Sequence, residues 1–194
     1  MKNIITIGLI QKRIAEGVPL GRLDEPTARR LWWAALDTLQ NEILMPMNLT
    51  KGIWLASPLP ALYEPKLLER LKGWVWAPDE LENLYPQNIG LLPPSRIRSI
   101  NKQSDSPSIN FSRLPLRKED GNDPLLIFIA PQIQVALSLQ GDSRQRNLLI
   151  RSDGDTLHDV LNLLDLRLKQ EDSHFAKDLR EALAELGELQ TNKD

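Results

Sequence analysis

Cysteine is absent from the 194 residues, which excludes disulfides, thiolate nucleophiles, cysteine-ligated zinc, iron–sulfur clusters and any chromophore held through a cysteine thioether. Histidine is scarce too. His158 and His174 are the two side chains that titrate near neutrality when unperturbed, and both fall near expected helix starts on polar surfaces. Their spacing matches no metal motif, and the His174/Asp178 pair has no third ligand nearby. The ten glycines are scattered singly, so neither a Walker loop nor G-x-G-x-x-G is present, and no serine sits in G-x-S-x-G. Asp153, Asp155 and Asp159 around Gly154 lack the spacing and closing glutamate of an EF-hand and read as a turn with a helix cap. The expectation is a protein that is not an enzyme and carries no cofactor and no metal.

A dominant charge is also missing. With 24 basic and 26 acidic side chains the formal net charge is -2, so no global field draws the chain to nucleic acid or an anionic membrane. No apolar run approaches the roughly 20 residues that cross a bilayer. The stretch Ile4 to Ile10 is followed at once by Lys12 and Arg13 with no small-residue cleavage site, unlike a signal peptide. A cytoplasmic protein with no membrane partner is expected. Apolar content of 41% and charged content of 26% are ordinary for a compact domain.

What is present is a clear alternation. Ile133, Val135, Leu137 and Leu139 project one way, and Gln132, Gln134, Ala136, Ser138 and Gln140 the other, which predicts a half-buried strand with a solvent or partner face. The unbroken run Leu125 to Ala130 before it suits a strand buried on both faces. Gly141-Asp142-Ser143 supplies a turn, and Arg146 to Arg151 returns as a hairpin partner. Asp155 is then the expected cap of a helix whose stripe is Leu157, Val160, Leu161, Leu164 and Leu168, and a last helix starts at Ser173. Upstream, Ile4, Ile7, Ile10 and Ile14 predict a helix. Asp24 caps another that carries Ala28, Leu31, Trp32, Ala35, Leu36, Leu39 and Ile43 and stops near Met45, before Pro46. Gly52 to Ser57 and Trp74 to Ala77 predict short strands, with a short helix over Glu64 to Lys72 and about two turns of helix over Asp79 to Tyr85. Residues 95–123 read as a long flexible loop, rich in Ser, Asn, Pro and charge.

Three groups invite a binding role. Trp54, Trp74 and Trp76 are candidates for a small-molecule pocket, set against ordinary core packing. The polar strand face Gln132, Gln134, Ser138 and Gln140, with the last helix's Leu179, Leu183 and Leu186, is a candidate surface for another protein; a homodimer through the C-terminal helix is one form of it. Arg96, Arg98, Lys102, Arg113, Arg117 and Lys118 make the long loop basic. With Phe111 as its one aromatic, the loop reads as solvated rather than as a nucleic-acid site.

Gly52-Ile53-Trp54-Leu55-Ala56-Ser57-Pro58 running into Leu59-Pro60, the Pro124 to Gly141 double strand, and the Arg146 to Leu168 strand and helix together resemble the DICT sensory domain of diguanylate cyclases and two-component histidine kinases. The resemblance implies signal input through ligand or partner binding, with output supplied by another polypeptide, a kinase or regulator.

The expected architecture is α+β: one domain over residues 1–170, then a C-terminal amphipathic helix and tail over 171–194. Its small, mostly antiparallel sheet is expected to carry helices on one face. The expected role is a non-catalytic sensory or adaptor domain in bacterial signal transduction; a structural or assembly subunit of a larger complex is the alternative. A nucleic-acid binder working through loop 96–118 would show steep salt dependence, because phosphate contacts release counterions. The expected result is no mobility shift of single- or double-stranded probes even at low salt, and a salt-sensitive shift would restore that reading.

Overall fold

A computed structural model describes residues 3–78 and 111–187. Thr6 accepts from the Leu9 N–H and starts α1 (Ile7–Ile14), whose Ile7, Ile10 and Ile14 are buried. Asp24 caps α2 (Glu25–Asp37) through the Thr27 N–H, as its spacing predicts. The expected stop before Pro46 is absent. Thr38–Leu44 instead widen into a π-helical segment in which the Met45 N–H reaches Gln40 O, five residues back, and the chain continues through α3 (Met45–Met47) to a left-handed Asn48. Gln40 is the polar centre of that segment. Its buried amide receives the N–H groups of Tyr63 and Glu64 and donates to Leu36 O and Ala61 O, tying the helix to the loop after the first strand.

The strands are β1 (Ile53–Ser57), β2 (Lys72–Ala77), β3 (Phe111–Pro115), β4 (Leu125–Ala130), β5 (Ile133–Gln140) and β6 (Asn147–Arg151), with α4 (Pro65–Arg70) between β1 and β2. They form one six-stranded mixed sheet in the order β3-β2-β1-β4-β5-β6. The β1/β2 and β2/β3 pairs are parallel and the other three antiparallel. After β6 come α5 (Gly154–Glu171) and α6 (Ser173–Leu186). The fold is α+β with a C-terminal helix. Among the described residues no helix is long and apolar enough to cross a membrane.

Helices cover both faces of the sheet, not one. On the first face Trp54, Ala56, Val75, Phe128 and Leu137 pack under α2, the π-helical segment and α4. On the second, Ile53, Leu55, Trp74, Trp76, Ile127 and Ala136 pack under α1 and α5, with Leu179 of α6 buried in the same core. The second layer escapes a period-two reading because Ala136 and Ser138 are small enough, and Gln134 well enough bonded, to lie beneath helices at no great cost. Two further expectations change. Asp153, not Asp155, caps α5 by accepting from the Thr156 N–H. The described part of the long loop is not irregular but forms β3 and a 3-10 turn at Lys118–Asp120, because Leu114 and Phe111 carry enough apolar surface to dock on β2. The helix expected at Asp79 to Tyr85 lies outside the described residues.

Gly73 and Trp54 are register partners on β2 and β1, and Gly73 is in turn opposite Phe111 of β3. The indole lies across the glycine to meet the Phe111 ring edge-on, with centroids 5.5 Å apart. A Cβ at Gly73 would sit 2.3 Å from Trp54 Cε2. Gly73→Ala is therefore expected to cost about 1–3 kcal/mol or more through overpacking, read as a lower urea midpoint with little change in slope. A midpoint within experimental error of wild type would contradict this packing.

Candidate functional site

The three indoles do not converge. Trp54 is 0% exposed on the first face, and Trp74 and Trp76 are 3% and 0% exposed on the second. They are core residues, and a sheet separates one from the other two. The candidate polar face of β5 is covered as well: Gln134 and Ser138 are buried, Gln140 is half-buried and only Gln132 is exposed. Gln134 donates to Ser152 O. On α6, Leu179 is fully buried, while Leu183 and Leu186 are partly buried against the same core. Arg113, Arg117 and Lys118 lie on or just after β3, and the rest of the basic set falls outside the described residues.

A charged cluster that the apolar stripes conceal lies under the second helical layer. Arg167 of α5 and Asp120 of the 3-10 turn both have side chains that are 0% exposed, and Glu171 is 5% exposed. The Arg167 guanidinium grips Asp120 with two bonds of 2.6 and 2.8 Å. It also donates to Glu171 at 2.6 Å, to Ile5 O at 2.8 Å and to Pro115 O at 3.4 Å. Asp120 further accepts from the N–H groups of Ile7 and Arg117, and the Trp76 indole N–H closes the set on Glu171. Burial pushes the Asp120 carboxyl up, but the Arg167 hydrogen bonds, the two backbone donors and the guanidinium charge together hold it below the usual carboxylate range. Burial opposes the charge of Arg167 likewise, and Asp120 and Glu171 reverse that opposition. The Arg167/Glu171 spacing of four on the buried stripe was the available signal for this cluster. Every N–H of the guanidinium is engaged, so the cluster joins elements and leaves no donor for a substrate.

A cleft between α3 and α4, lined by Leu44, Asn48, Lys66 and Arg70 among others, encloses about 110 Å³, below the roughly 300–1,000 Å³ of small-molecule sites. Among the described residues no cluster of three acidic or histidine side chains is placed to hold a metal.

The sheet edges differ from each other. At the β3 edge Arg113 places an exposed charge and the terminal Pro115 has no N–H to donate. At the β6 edge, residues 19–23 strap the start of the strand. Leu23 and Arg146 exchange both backbone hydrogen bonds, and Asn147 Nδ2 donates to Pro19 O. Beyond that strap no described residue pairs with the edge. Because Arg146 turns its N–H and C=O outward to Leu23, alternation turns those of Leu148 and Ile150 outward too. The Leu139 N–H, which points away from β6 to Pro124 O, agrees. Neither Leu148 nor Ile150 has an outward backbone partner among the described residues, and Ile150 is 60% exposed. Arg151 does not guard the edge. Its guanidinium is drawn in to Ile14 O, Asp153 and Thr156, where it joins the end of α1 to the start of α5. Leu31 of α2 and Leu20 of the strap are also exposed, at 41% and 72%. β6 is thus a short strand with two residues whose backbone faces outward, the feature by which strand addition to a sheet edge works.

The family model described as "Domain of unknown function (DUF8628)" matches residues 8–194. No curated protein and no solved structure matches the chain.

The buried cluster yields a pH prediction. A carboxylate whose folded pKa is lowered adds stability that is present above its unfolded pKa, about 3.9 for Asp, and is lost as pH falls through the folded value. Arg167→Met, which leaves Asp120 buried and uncompensated, is expected to cost about 3–5 kcal/mol at pH 7. Asp120→Asn should flatten the fall in stability below pH about 4. Denaturant titrations across pH check both, and an unchanged acid limb in Asp120→Asn would contradict the assignment.

Proposed function

We propose that this chain, which belongs to the DUF8628 family, is a non-catalytic, cytoplasmic adaptor domain that works through protein contact at the β6 edge. The observation that carries the reading is the outward backbone of Leu148 and Ile150, unpartnered among the described residues, on a strand whose other end is strapped. Natural sheets blunt such edges with charge, proline or a covering segment, and among the described residues none of these guards β6 between Arg146 and Arg151. The buried charged side chains Arg167, Asp120 and Arg146 are committed to joining helices and turns, which supports a binding role over an enzymatic one. A sensory role of the kind the DICT resemblance implies would run through this contact rather than through a tryptophan pocket. The partner would be a kinase or regulator, or a fixed neighbour if the chain is an assembly subunit.

Capture from native lysate with the full chain tests the reading. Ile150→Lys places a charge on an exposed side chain and should change stability by no more than about 0.5 kcal/mol, yet it should remove the captured set. The same set held equally by wild type and variant would overturn it. A stoichiometric set of fixed composition would favour the assembly subunit, and weak association with kinases or regulators the signalling adaptor.

A further inference from the structure

We infer that the segment fitting the β6 edge is β6 of a second copy of this chain, paired antiparallel about a twofold axis at Leu149. The inference rests on the reading of β6 as the binding edge and specifies its occupant.

Three observations carry it. First, the free length of the edge is bounded at both ends. Leu23 occupies the lane beside Arg146, and the strand itself ends at Arg151, where Ser152 and the Asp153 cap turn the chain into α5. An antiparallel copy centred on Leu149 sets Asn147 opposite Arg151 and Leu148 opposite Ile150, so each copy's strand ends where the other's strap begins. A register centred on Leu148 would set Ile150 opposite Arg146, in the lane that Leu23 already holds.

Second, the outward groups match in this register. Leu148 and Ile150 turn both N–H and C=O outward, and an antiparallel hydrogen-bonded pair exchanges both bonds. The pairs Leu148–Ile150 and Ile150–Leu148 would therefore use all four donors and all four acceptors on the two edges. Leu149, whose own backbone faces Ser138 of β5, falls opposite itself as a non-hydrogen-bonded pair.

Third, no like charges meet. Asn147 is neutral, and the Arg151 guanidinium is already bound to Asp153 at 2.9 Å and turned toward α1 and α5. The side chains flanking the seam on the first sheet face are the half-buried Leu148 and the 60% exposed Ile150, which gain cross-strand apolar neighbours. An isologous contact closes on itself, so the product is a dimer with a continuous sheet and not a fibre.

Light scattering of the purified full chain over a range of concentrations is the test, with Ile150→Pro as the variant. The Ile150 N–H has no partner among the described residues, so proline there leaves the β5/β6 ladder intact while removing two of the donors that the dimer needs. The expected result is twice the chain mass for wild type at high concentration and the single-chain mass for Ile150→Pro. Ile150→Lys, which sets a cation beside the seam on each copy without touching the backbone, should also lose the dimer and covers the case in which the proline variant fails to fold. A wild type that stays at single-chain mass throughout, or a dimer that survives both variants, would overturn the inference. If wild type stays monomeric while lysate capture still depends on Ile150, only the identity of the occupant is lost and the binding edge stands; if capture is also indifferent to Ile150, both fail.

Discussion

The bidentate grip of Arg167 on Asp120 is the interaction on which the second helical layer depends. Through five donors one guanidinium fixes the entry to α1 at Ile5, the end of β3 at Pro115, the 3-10 turn at Asp120 and its own helix at Glu171. Glu171 passes the constraint on to the indole of Trp76 in β2. Removing one member leaves the others charged and dry, which is why such a cluster is far costlier to break than to replace by apolar residues. What it supplies is position. It sets where α1 and α5 lie on the sheet and so determines that the polar side of β5 is covered.

Arginines repeat this role at the other end of the molecule. Arg151 joins the end of α1 to the cap of α5. Arg146 joins the β5–β6 turn to Asp123 at 2.7 Å and to Gly141 O at 2.9 Å. With both side chains turned inward, the outer rim of β6 keeps its apolar residues and its open backbone but loses the charges that would otherwise repel a neighbouring strand. The helical layers and the bare edge thus share one cause, the recruitment of arginines to hold layers together.

Much of this fold is legible in the sequence, and the failures have physical reasons. Leu125 to Ala130 and Ile133 to Gln140 show as strands because their patterns match the two ways a strand can be buried, and Asp24 shows as a cap because few residues satisfy a helix N-terminus. The covering of Gln134 and Ser138 is hidden, since a pattern of polar and small residues looks the same whether water or a helix lies above it. β3 is hidden because two apolar anchors, Phe111 and Leu114, suffice for an edge strand whose remaining residues look like loop. Arg167 is hidden within a leucine stripe, and only its Glu171 partner four residues on hints that the charge is buried. The tryptophans stand out by residue type and lie in the core, whereas the β6 edge depends on backbone direction, which no side-chain pattern records.

The claim that β6 presents an open, pairing-competent edge is tested most directly by residue-resolved amide hydrogen exchange on the full chain across a concentration series. The account predicts slow exchange at Leu149 and Arg151 at every concentration, with fast exchange at Leu148 and Ile150 in dilute solution that slows as the protein is concentrated. Exchange at Leu148 and Ile150 that is slow even at the lowest concentration would contradict the open edge, and exchange that stays fast at every concentration would contradict its pairing with a second copy.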